Sequence, residues 1–289
     1  MGARTLDEVE TRELRYFVAV AEELHVGRAA QRLGMAQPPL SRAIAQLERR
    51  LGADLFVRTP RGVTLTDAGE TLLREGRVAL DAVEAAERRT RRTVEAAGRP
   101  ALVLTAKAGA SGELMAKLLD AYAAEPDAVD VEVVLSPPGH QAAMLRDGRA
   151  DVAILHRPFD DTSGFDVDVL MVEEQVAILP AGHPLTARAS MTVAEASSIP
   201  DLPLPRWPDL DGSYPEGPGP ELRDLTQVLQ LVRLGRTALV LPESVRANLS
   251  DGLAVVPLTD AARVTTVIAW PPHCTSTAVA GLVRTAARL

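Results

Sequence analysis

The N-terminal part of the chain shows the hydrophobic period of short amphipathic helices. Apolar residues recur at three- and four-residue spacing in three stretches, 13–24, 28–33 and 37–51. Gly34 and Gly52 follow the second and third stretch and predict helix ends, because glycine accepts the left-handed backbone of a C-terminus. The third helix has an expected buried stripe of Leu40, Ile44, Leu47 and Leu51. After it, 55–58 and 62–65 predict a two-stranded hairpin.

A single long helix is predicted next, from Asp67 to about Ala97. Thr66 is its expected N-cap, because a threonine hydroxyl accepts a hydrogen bond from a free amide of the first turn. Its apolar stripe consists of Leu72, Leu73, Ala79, Leu80, Val83, Ala86 and Val94. We expect no room for this stripe in a small helical domain, so one interpretation is a symmetric homodimer through the helix. The other is that the helix packs against the C-terminal part of its own chain.

The remainder of the chain alternates strand and helix patterns. Apolar runs predict strands at 101–106, 131–135, 152–155, 175–179 and 237–241. Helical spacing predicts helices at 114–124, 141–146 and 222–234. This alternation favours parallel sheets flanked by helices. The proline-rich stretch 199–220 is expected to be an irregular loop.

Charge is distributed unevenly along the chain. The formal net charge is −8, yet residues 24–62 contain seven arginines against Glu48 and Asp54, a local charge of +5. A basic N-terminal module on an acidic body is typical of a DNA-binding protein with a separate second domain. A solvated basic face without a ligand has the same charge pattern.

Composition narrows the class of protein further. The 289 residues suit about two domains. No run approaches the roughly 18 consecutive apolar residues of a membrane span, and the polar, acidic N-terminus is unlike a signal peptide. The single cysteine, Cys274, excludes an internal disulfide framework. We therefore expect a cytoplasmic protein that has no metal site, no cofactor and no contact with a membrane.

The two helices before the hairpin have the layout of a helix-turn-helix. Glutamine bridges adenine and arginine bridges guanine in the major groove, while basic residues of the hairpin reach phosphates or the minor groove. The candidate DNA-binding residues are Arg28, Gln37, Pro38, Pro39, Ser41, Arg42, Gln46, Arg58 and Arg61. A small helical bundle with a polar face is the alternative reading of the same pattern.

Three predicted strands of the C-terminal part end in turns that suit a ligand. In open α/β sheets, ligands bind beyond the carboxyl ends of the strands, and a helix N-terminus favours small anions. The candidate effector-binding residues in these turns are Lys107, Ala110, Ser111, Gly139, His140, His156 and Arg157. Together with Arg206, the basic residues among them suggest an anionic ligand. Ser111 has a simpler possible role as a helix cap.

The N-terminal sequence resembles the LysR-type transcriptional regulators of bacteria. The resemblance is carried by 13–24 (ELRYFVAVAEEL), Gln37–Arg42 (QPPLSR) and Leu65–Gly69 (LTDAG), and more loosely by Asp151–Ile154 (DVAI). It implies a multidomain fold: an α-rich winged helix-turn-helix and a long linker helix, then a two-lobed α/β effector domain like the type 2 periplasmic binding proteins. The implied boundaries are 12–66 for the DNA-binding domain, 67–98 for the linker, and 99–289 for the effector domain (lobe I 99–164 and 268–289; lobe II 165–267).

The same resemblance implies a function and further site residues. The protein would be a sequence-specific regulator of transcription that binds an interrupted palindrome of double-stranded DNA as a homodimer or homotetramer and contacts RNA polymerase. The effector would lie between the lobes, with Leu204, Pro205 and Thr226 facing it. This chain departs from the family at Ala36, where the family usually has a serine or threonine cap. Loss of such a cap typically costs about 1 kcal/mol.

Two other classes of protein are weaker interpretations of this sequence. An enzyme with an accessory helical domain would need a catalytic motif, and Ser111, His140 and Asp151 lack the Gly-x-Ser-x-Gly context of a serine nucleophile. Phosphate-binding and dinucleotide-binding glycine motifs are also missing from the sequence. A solute-binding protein would account for the C-terminal part alone, and the basic N-terminal module argues against it.

Overall fold

The computed structural model describes residues 9–60, 62–95, 101–209, 213–222, 225–249, 251–272 and 274–289, and the side chains of Thr93, Glu95, Leu225, Thr226 and Asn248 lie outside this description. The chain divides into two compact units, Met1–Glu87 and Arg88–Leu289.

The N-terminal unit consists of helices and one hairpin. Its elements are α1 (Thr11–Glu23), α2 (Val26–Arg32), α3 (Gln37–Leu51), β1 (Phe56–Thr59), β2 (Gly62–Leu65) and the first turns of α4 (Asp67–Glu95). Phe17, Leu40 and Leu47 are fully buried where α1 and α3 meet. The buried stripe of α3 ends at Leu47, because the last predicted member, Leu51, is 41% exposed.

The start of α4 is fixed by the predicted cap and by contacts with the helical core. The Thr66 hydroxyl accepts a hydrogen bond from the Gly69 amide at 3.0 Å and donates one to the Asp54 carbonyl at 2.7 Å. Leu72, Leu73 and Leu80 pack against the core of the N-terminal unit. The expectation that the stripe finds no partner in its own domain is therefore wrong for the first turns of α4.

The rest of the stripe does not form one continuous face. Of its remaining members, Ala79, Ala86 and Val94 are exposed and Val83 is half-buried. The last turns of α4 belong to the second unit, where Arg92 binds Asp151 with its Nη2 atom 2.6 Å from Oδ1. The other oxygen of Asp151 accepts the Val103 amide at 3.0 Å. One carboxylate thus joins the end of α4 to the first strand of the C-terminal unit.

The C-terminal unit contains two sheets. Its strands are β3 (Ala101–Lys107), β4 (Asp130–Ser136), β5 (Val152–Arg157), β6 (Asp166–Glu173), β7 (Gln175–Pro180), β8 (Leu239–Pro242), β9 (Leu253–Pro257) and β10 (Val264–Trp270). Its helices are α5 (Gly112–Ala123), α6 (His140–Arg146), α7 (Val193–Ser197), α8 (Leu225–Arg233) and α9 (Thr277–Ala286), with two 3₁₀ turns at Pro184–Ala187 and Glu243–Asn248. The described part of stretch 199–220 is irregular, as predicted.

The prediction of parallel sheets is confirmed for β3, β4 and β5 and is wrong for the other strands. The first sheet has the order β4-β3-β5-β10-β6, in which β3 pairs in parallel with β4 and β5 whereas β10 runs antiparallel to β5 and β6. The second sheet has the order β8-β7-β9, and β7 is antiparallel to both neighbours. The chain returns to the first sheet through β10, which reverses the strand direction.

The strand pairing also moves the boundary between the lobes. β6 pairs with β10 in the first sheet, so the chain first crosses to the second sheet after Glu173 and not near Gly164. It returns before Val264, at the start of β10, and not near Ile268. β6 was missed in the sequence because half of its positions face solvent, with Val169 56% exposed.

Helices cover the first sheet and leave the ends of its parallel strands accessible. Leu118 and Tyr122 of α5 pack with Leu282 of α9 against Leu104 and Ile154 of the sheet. α6 contributes Leu145 and Met144 to two other buried clusters of the same sheet. Because α5 and α6 directly follow β3 and β4, the turns at the strand ends carry the candidate effector residues.

Candidate functional site

The exposed face of α3 carries the candidate DNA-contacting side chains. Gln37, Pro38, Arg42 and Gln46 are exposed, while Pro39 and Ser41 are half-buried. The opposite face holds the buried Leu40, Ile44 and Leu47. The structure therefore presents one polar helix face, held from behind by the apolar stripe.

The first turn of α3 explains why Ala36 is tolerated. A capping hydroxyl accepts a hydrogen bond from the amide of the second or third helical residue. In α3 these residues are Pro38 and Pro39, which have no N–H. A serine or threonine at position 36 would find neither amide, so the expected capping loss of about 1 kcal/mol does not apply here.

The candidate DNA-binding arginines of the N-terminal unit differ in whether a carboxylate of the protein already binds them. Arg42 and Arg58 are exposed, and neither forms an ion pair with the described residues. Arg28 is exposed but bound by the Glu23 carboxylate, with Nε 3.3 Å from Oε2. Arg61 lies outside the described residues. Arg42 and Arg58 are thus the predicted arginines whose guanidinium groups need not leave a protein carboxylate to reach DNA.

The hairpin is held beside the helices by a close backbone approach. The Val63 amide donates a hydrogen bond to the Leu24 carbonyl at 3.0 Å. Gly62 has a φ of 145°, and a Cβ at this position would overlap the same carbonyl oxygen. The glycine is therefore required for the hairpin to approach the turn between α1 and α2, which positions Arg58 next to the helical head.

A cavity of about 670 Å³ lies in the C-terminal unit, bounded by residues of both sheets. Five of the predicted effector residues line it: Lys107, Ala110, Ser111, Gly139 and His156. Lys107 and His156 lie at the carboxyl ends of β3 and β5, and the other three lie in the turns after β3 and β4. Because these three strands are parallel, their carboxyl ends lie at the same edge of the sheet. A volume of this size accommodates a small organic molecule.

Ser111 is directed to the cavity and not to its own helix. Its backbone has a φ of 54°, in the left-handed region that non-glycine residues rarely adopt. In the described structure its hydroxyl makes no capping hydrogen bond to α5 and instead lies 2.9 Å from Nε2 of His156. The alternative role of Ser111 as a simple cap is therefore not what the geometry shows.

The buried carboxylate of Asp160 contacts both Lys107, at the end of β3, and His156, in β5. Oδ2 of Asp160 accepts the His156 amide at 2.7 Å and lies 3.2 Å from Nζ of Lys107. Burial opposes ionisation of Asp160, but the contacts with His156 and Lys107 outweigh it, so the pKa of this carboxyl is below its ordinary value. Asp160 is ionised at neutral pH and neutralises the Lys107 ammonium.

Several predicted effector residues do not line this cavity. Nδ1 of His140 lies 3.2 Å from the Pro138 carbonyl oxygen, and Nε of Arg157 donates to the Thr162 hydroxyl at 3.0 Å. Leu204 packs against the core of the second sheet. Two further predicted residues are Pro205, which is half-buried outside the cavity lining, and Thr226, whose side chain is not described.

The basic residues that suggested an anionic ligand do not converge on the cavity. Arg206 is held by its own loop, with Nε 2.8 Å from the Gly219 carbonyl oxygen and Nη2 3.0 Å from the Glu221 carboxylate. Arg157 and His140 contact other groups, as described above. Lys107 alone of these four lines the cavity, and it is paired with Asp160.

Sequence reasoning missed the residues that give the cavity its apolar wall and its buried acid. Trp207, Val240, Leu241 and Val245 line the side formed by the second sheet and its loops. A tryptophan in a proline-rich loop, one of two in the chain, is a signal that could have been used. Asp160 gave a weaker signal, four residues after His156 in a turn with many polar neighbours.

The comparisons with known proteins match both parts of the chain. Residues 11–70 match the family described as a bacterial regulatory helix-turn-helix protein of the lysR family, and residues 95–288 match the LysR substrate binding domain. The chain is 37% identical over 209 residues to the HTH-type transcriptional regulator AlsR of Bacillus subtilis (strain 168), covering 70% of this chain and 67% of AlsR. It is 31% identical over 278 residues to the uncharacterized HTH-type transcriptional regulator YnfL of Escherichia coli (strain K12), covering 92% and 93%. Among solved structures, full-length BenM has a TM-score of 0.52 at 25% identity, covering 97% of this chain and 96% of BenM.

A winged helix-turn-helix and a two-lobed ligand-binding domain in one chain define a ligand-responsive DNA-binding protein. The chain belongs to the LysR family, because the two matched domains together span most of its length. It is a DNA-binding transcriptional regulator that responds to a small-molecule effector through its substrate-binding domain. No helix in the described ranges is long and apolar enough to cross a membrane.

Proposed function

We propose that α3 reads base edges in the major groove and that the hairpin contacts the adjacent backbone or minor groove. The observation that carries this proposal is the exposed face of Gln37, Arg42 and Gln46, with Arg42 free of any ion pair in the described structure. Glutamine and arginine at these positions suit adenine and guanine. Pro38, Pro39 and Ser41 complete the surface at the start of the helix. Arg28, Arg58 and Arg61 are the proposed backbone contacts.

Arg42→Ala is expected to weaken specific DNA binding by about 1–3 kcal/mol, which is roughly 5- to 150-fold in Kd. The physical reason is the loss of two hydrogen bonds to one guanine. The measurement is fluorescence anisotropy with a duplex selected from a random pool by the wild-type protein. Arg74→Ala is the matched control, since Arg74 is an exposed arginine of α4 whose ion-pair partner is Glu75. An equal loss in both variants, or no loss in either, would contradict the assignment.

We propose that the regulator works as a homodimer, or as a pair of dimers, on an interrupted palindrome. The exposed Val78 and Val94 of α4 support pairing through this helix, because α4 extends beyond the core against which Leu72 and Leu73 pack. The two DNA-binding domains of a dimer would read two half-sites.

The proposed division of the chain is 12–66 for DNA binding, 67–98 for the linker and 99–289 for effector binding. We further propose that the protein acts in the cytoplasm, where its DNA is, and contacts RNA polymerase there.

We propose that the effector occupies the 670 Å³ cavity and places a polar group near Ser111 and the start of α5. The amides of the first helical turn and the Ser111 hydroxyl are hydrogen-bonding groups at this position. Such a position can bind a carboxylate, as the sequence suggested, or a neutral amide or hydroxyl. Binding would favour one degree of lobe closure, to the extent that the ligand prefers that state. Asp151 would pass the change from β3 to the end of α4 through Arg92.

Ser111→Ala is expected to raise the effector concentration needed for half-maximal transcription about 3- to 10-fold, because one hydrogen bond is lost. The measurement is a reporter titration with the effector of the regulated pathway. Ser198→Ala is the control, since the Ser198 hydroxyl is bound to the Ala194 carbonyl and faces solvent. The same effector sensitivity in both variants would place the effector elsewhere. Loss of DNA binding without effector would instead indicate misfolding.

We also propose that the cavity binds its ligand without transforming it. Ser111, His156 and Asp160 have the residue types of a serine nucleophile, a base and an acid. However, Nδ1 of His156 is 3.6 Å from Oδ2 of Asp160, which exceeds hydrogen-bond distance. That oxygen already accepts from the His156 amide and Lys107. An acid engaged in this way does not orient the imidazole as a catalytic base requires.

A further inference from the structure

We infer that the effector cavity selects an uncharged ligand with an aromatic or similarly apolar body and one hydrogen-bonding head, and that Asp160 is the residue that sets this charge preference. The inference rests on the proposed function, since it assumes that the cavity is the effector site.

The cationic side chains of the cavity are already neutralised by the protein. Lys107 is paired with Asp160 at 3.2 Å, and the side chain of Asp160 is only 4% exposed. Lys117 is paired with Glu113, one turn earlier on α5, at 2.8 Å, and these two side chains are 63% and 58% exposed. The described lining therefore contains two lysines, each paired with a carboxylate of the same lining.

An anionic ligand would have to disturb these pairs. A carboxylate that enters a partly apolar cavity loses its hydration, and this cost is repaid only by an unpaired cation or several hydrogen bonds. Taking Lys107 from Asp160 would leave a buried carboxylate without its cation. A neutral amide or hydroxyl loses less hydration and is satisfied by Ser111 and the free amides of α5.

The opposite wall of the cavity suits the body of such a ligand. Trp207, Val240 and Leu241 line the cavity from the second sheet and its loops. Leu114 of α5 and Met171 of the first sheet add further apolar surface. Aromatic and aliphatic side chains of this kind stabilise planar apolar groups by burial and stacking. The site therefore combines an apolar side, formed by residues such as Trp207 and Val240, with a polar side where Lys107 and Asp160 balance each other's charge.

The test uses three probes of nearly equal shape: benzamide, benzoate and benzylamine. Their affinities for the full-length wild-type protein are measured by calorimetric titration and by ligand-observed NMR at about pH 8, where an ordinary histidine is neutral. We expect benzamide to bind at least about tenfold more tightly than either ion. Benzoate binding as tight as that of benzamide would overturn the inference and favour the anionic effector.

Two variants change the net charge of the Lys107–Asp160 pair in opposite directions. Asp160→Asn keeps an oxygen for the His156 amide but frees the Lys107 ammonium, so benzoate affinity should rise at least about tenfold. Lys107→Met leaves Asp160 without its cation, so benzylamine should gain instead. An unchanged order of the three probes in both variants, or no binding of any probe to the three proteins at millimolar concentration, would overturn the role of Asp160. If one variant fails to fold by circular dichroism, the other carries the test alone.

DNA binding in the same samples separates the two hypotheses. Each protein is titrated with the selected operator duplex by fluorescence anisotropy. Operator binding with the wrong probe selectivity would overturn only the charge inference. Correct probe selectivity in a protein that shows no preference for any duplex would instead overturn the proposed function and leave the ligand class intact.

Discussion

Glu13→Ala is expected to destabilise the N-terminal unit by about 3–5 kcal/mol, the usual cost of removing one partner of a buried ion pair. Glu13 of α1 binds the guanidinium of Arg50 in α3, and the two side chains are 11% and 14% exposed. The pair joins the first helix to the last turn of the proposed recognition helix. Hydrogen exchange of α1 and α3 peptides in the full-length protein measures the loss.

Glu75→Ala is the matched control, because Glu75 forms an exposed ion pair with Arg74 at 3.0 Å. Such surface pairs contribute about 0–1 kcal/mol. We expect unchanged exchange in α1 and α3 of this variant. Equal protection of α3 in Glu13→Ala and wild type would show that the buried pair does not hold the recognition helix.

Gly69→Ala is expected to destabilise the same unit by about 3 kcal/mol, at the upper end of overpacking effects. A Cβ on Gly69 would overlap the carbonyl oxygen of Leu55, and it would come within 2.9 Å of Cδ2 of Leu65. The first atom belongs to the backbone and cannot rotate away. The hairpin and α4 would separate, so operator affinity should fall together with the protection of hairpin amides from exchange.

Gly76→Ala tests the same change seven residues later on α4. Its Cβ would lie 3.5 Å from Cδ2 of Leu14, an ordinary van der Waals distance. Since glycine inside a helix costs about 0.5–1 kcal/mol relative to alanine, this variant should be slightly stabilised. Similar melting and similar hairpin exchange in the two alanine variants would contradict the proposed close approach at Gly69.

The sequence was most informative where each local signal agreed with the packing. α3 follows from the prolines at its start, the spacing of Leu40, Ile44 and Leu47, and Gly52 at its end. The contact of the hairpin with the helices was not predictable, because it depends on a backbone approach at Gly62 between segments far apart in sequence. The exposure of Leu51 was not predicted either.

Long-range pairing explains the errors in the C-terminal unit. The strands β3, β4 and β5 are apolar runs and were predicted, but the sequence does not show that β10 returns between β5 and β6. That return makes the sheet mixed. In the cavity, Lys107, Ser111 and His156 were predicted from their places after strands. The pairing of Lys107 with Asp160 was not, although it changes the charge that a ligand encounters.

The cationic side chains of the cavity and those of the DNA-binding surface differ in whether carboxylates of the protein are paired with them. In the head, Arg42 and Arg58 are exposed without carboxylate partners in the described structure, which suits a polyanion such as DNA. In the cavity, both lysines are paired with acids. The positive charge available to an anion is therefore concentrated on the DNA-binding surface, and the effector would be recognised by shape and hydrogen bonds.

Dimethyl sulfate footprinting tests the placement of α3 in the major groove most directly. The reagent methylates N7 of guanine in the major groove and N3 of adenine in the minor groove, and the duplex is the one selected by the wild-type protein. We expect protection of guanine N7 in each half-site by wild type, with loss of protection at one guanine per half-site in Arg42→Ala. Unchanged N7 reactivity under saturating wild-type protein, with protection of adenine N3 alone, would contradict the account.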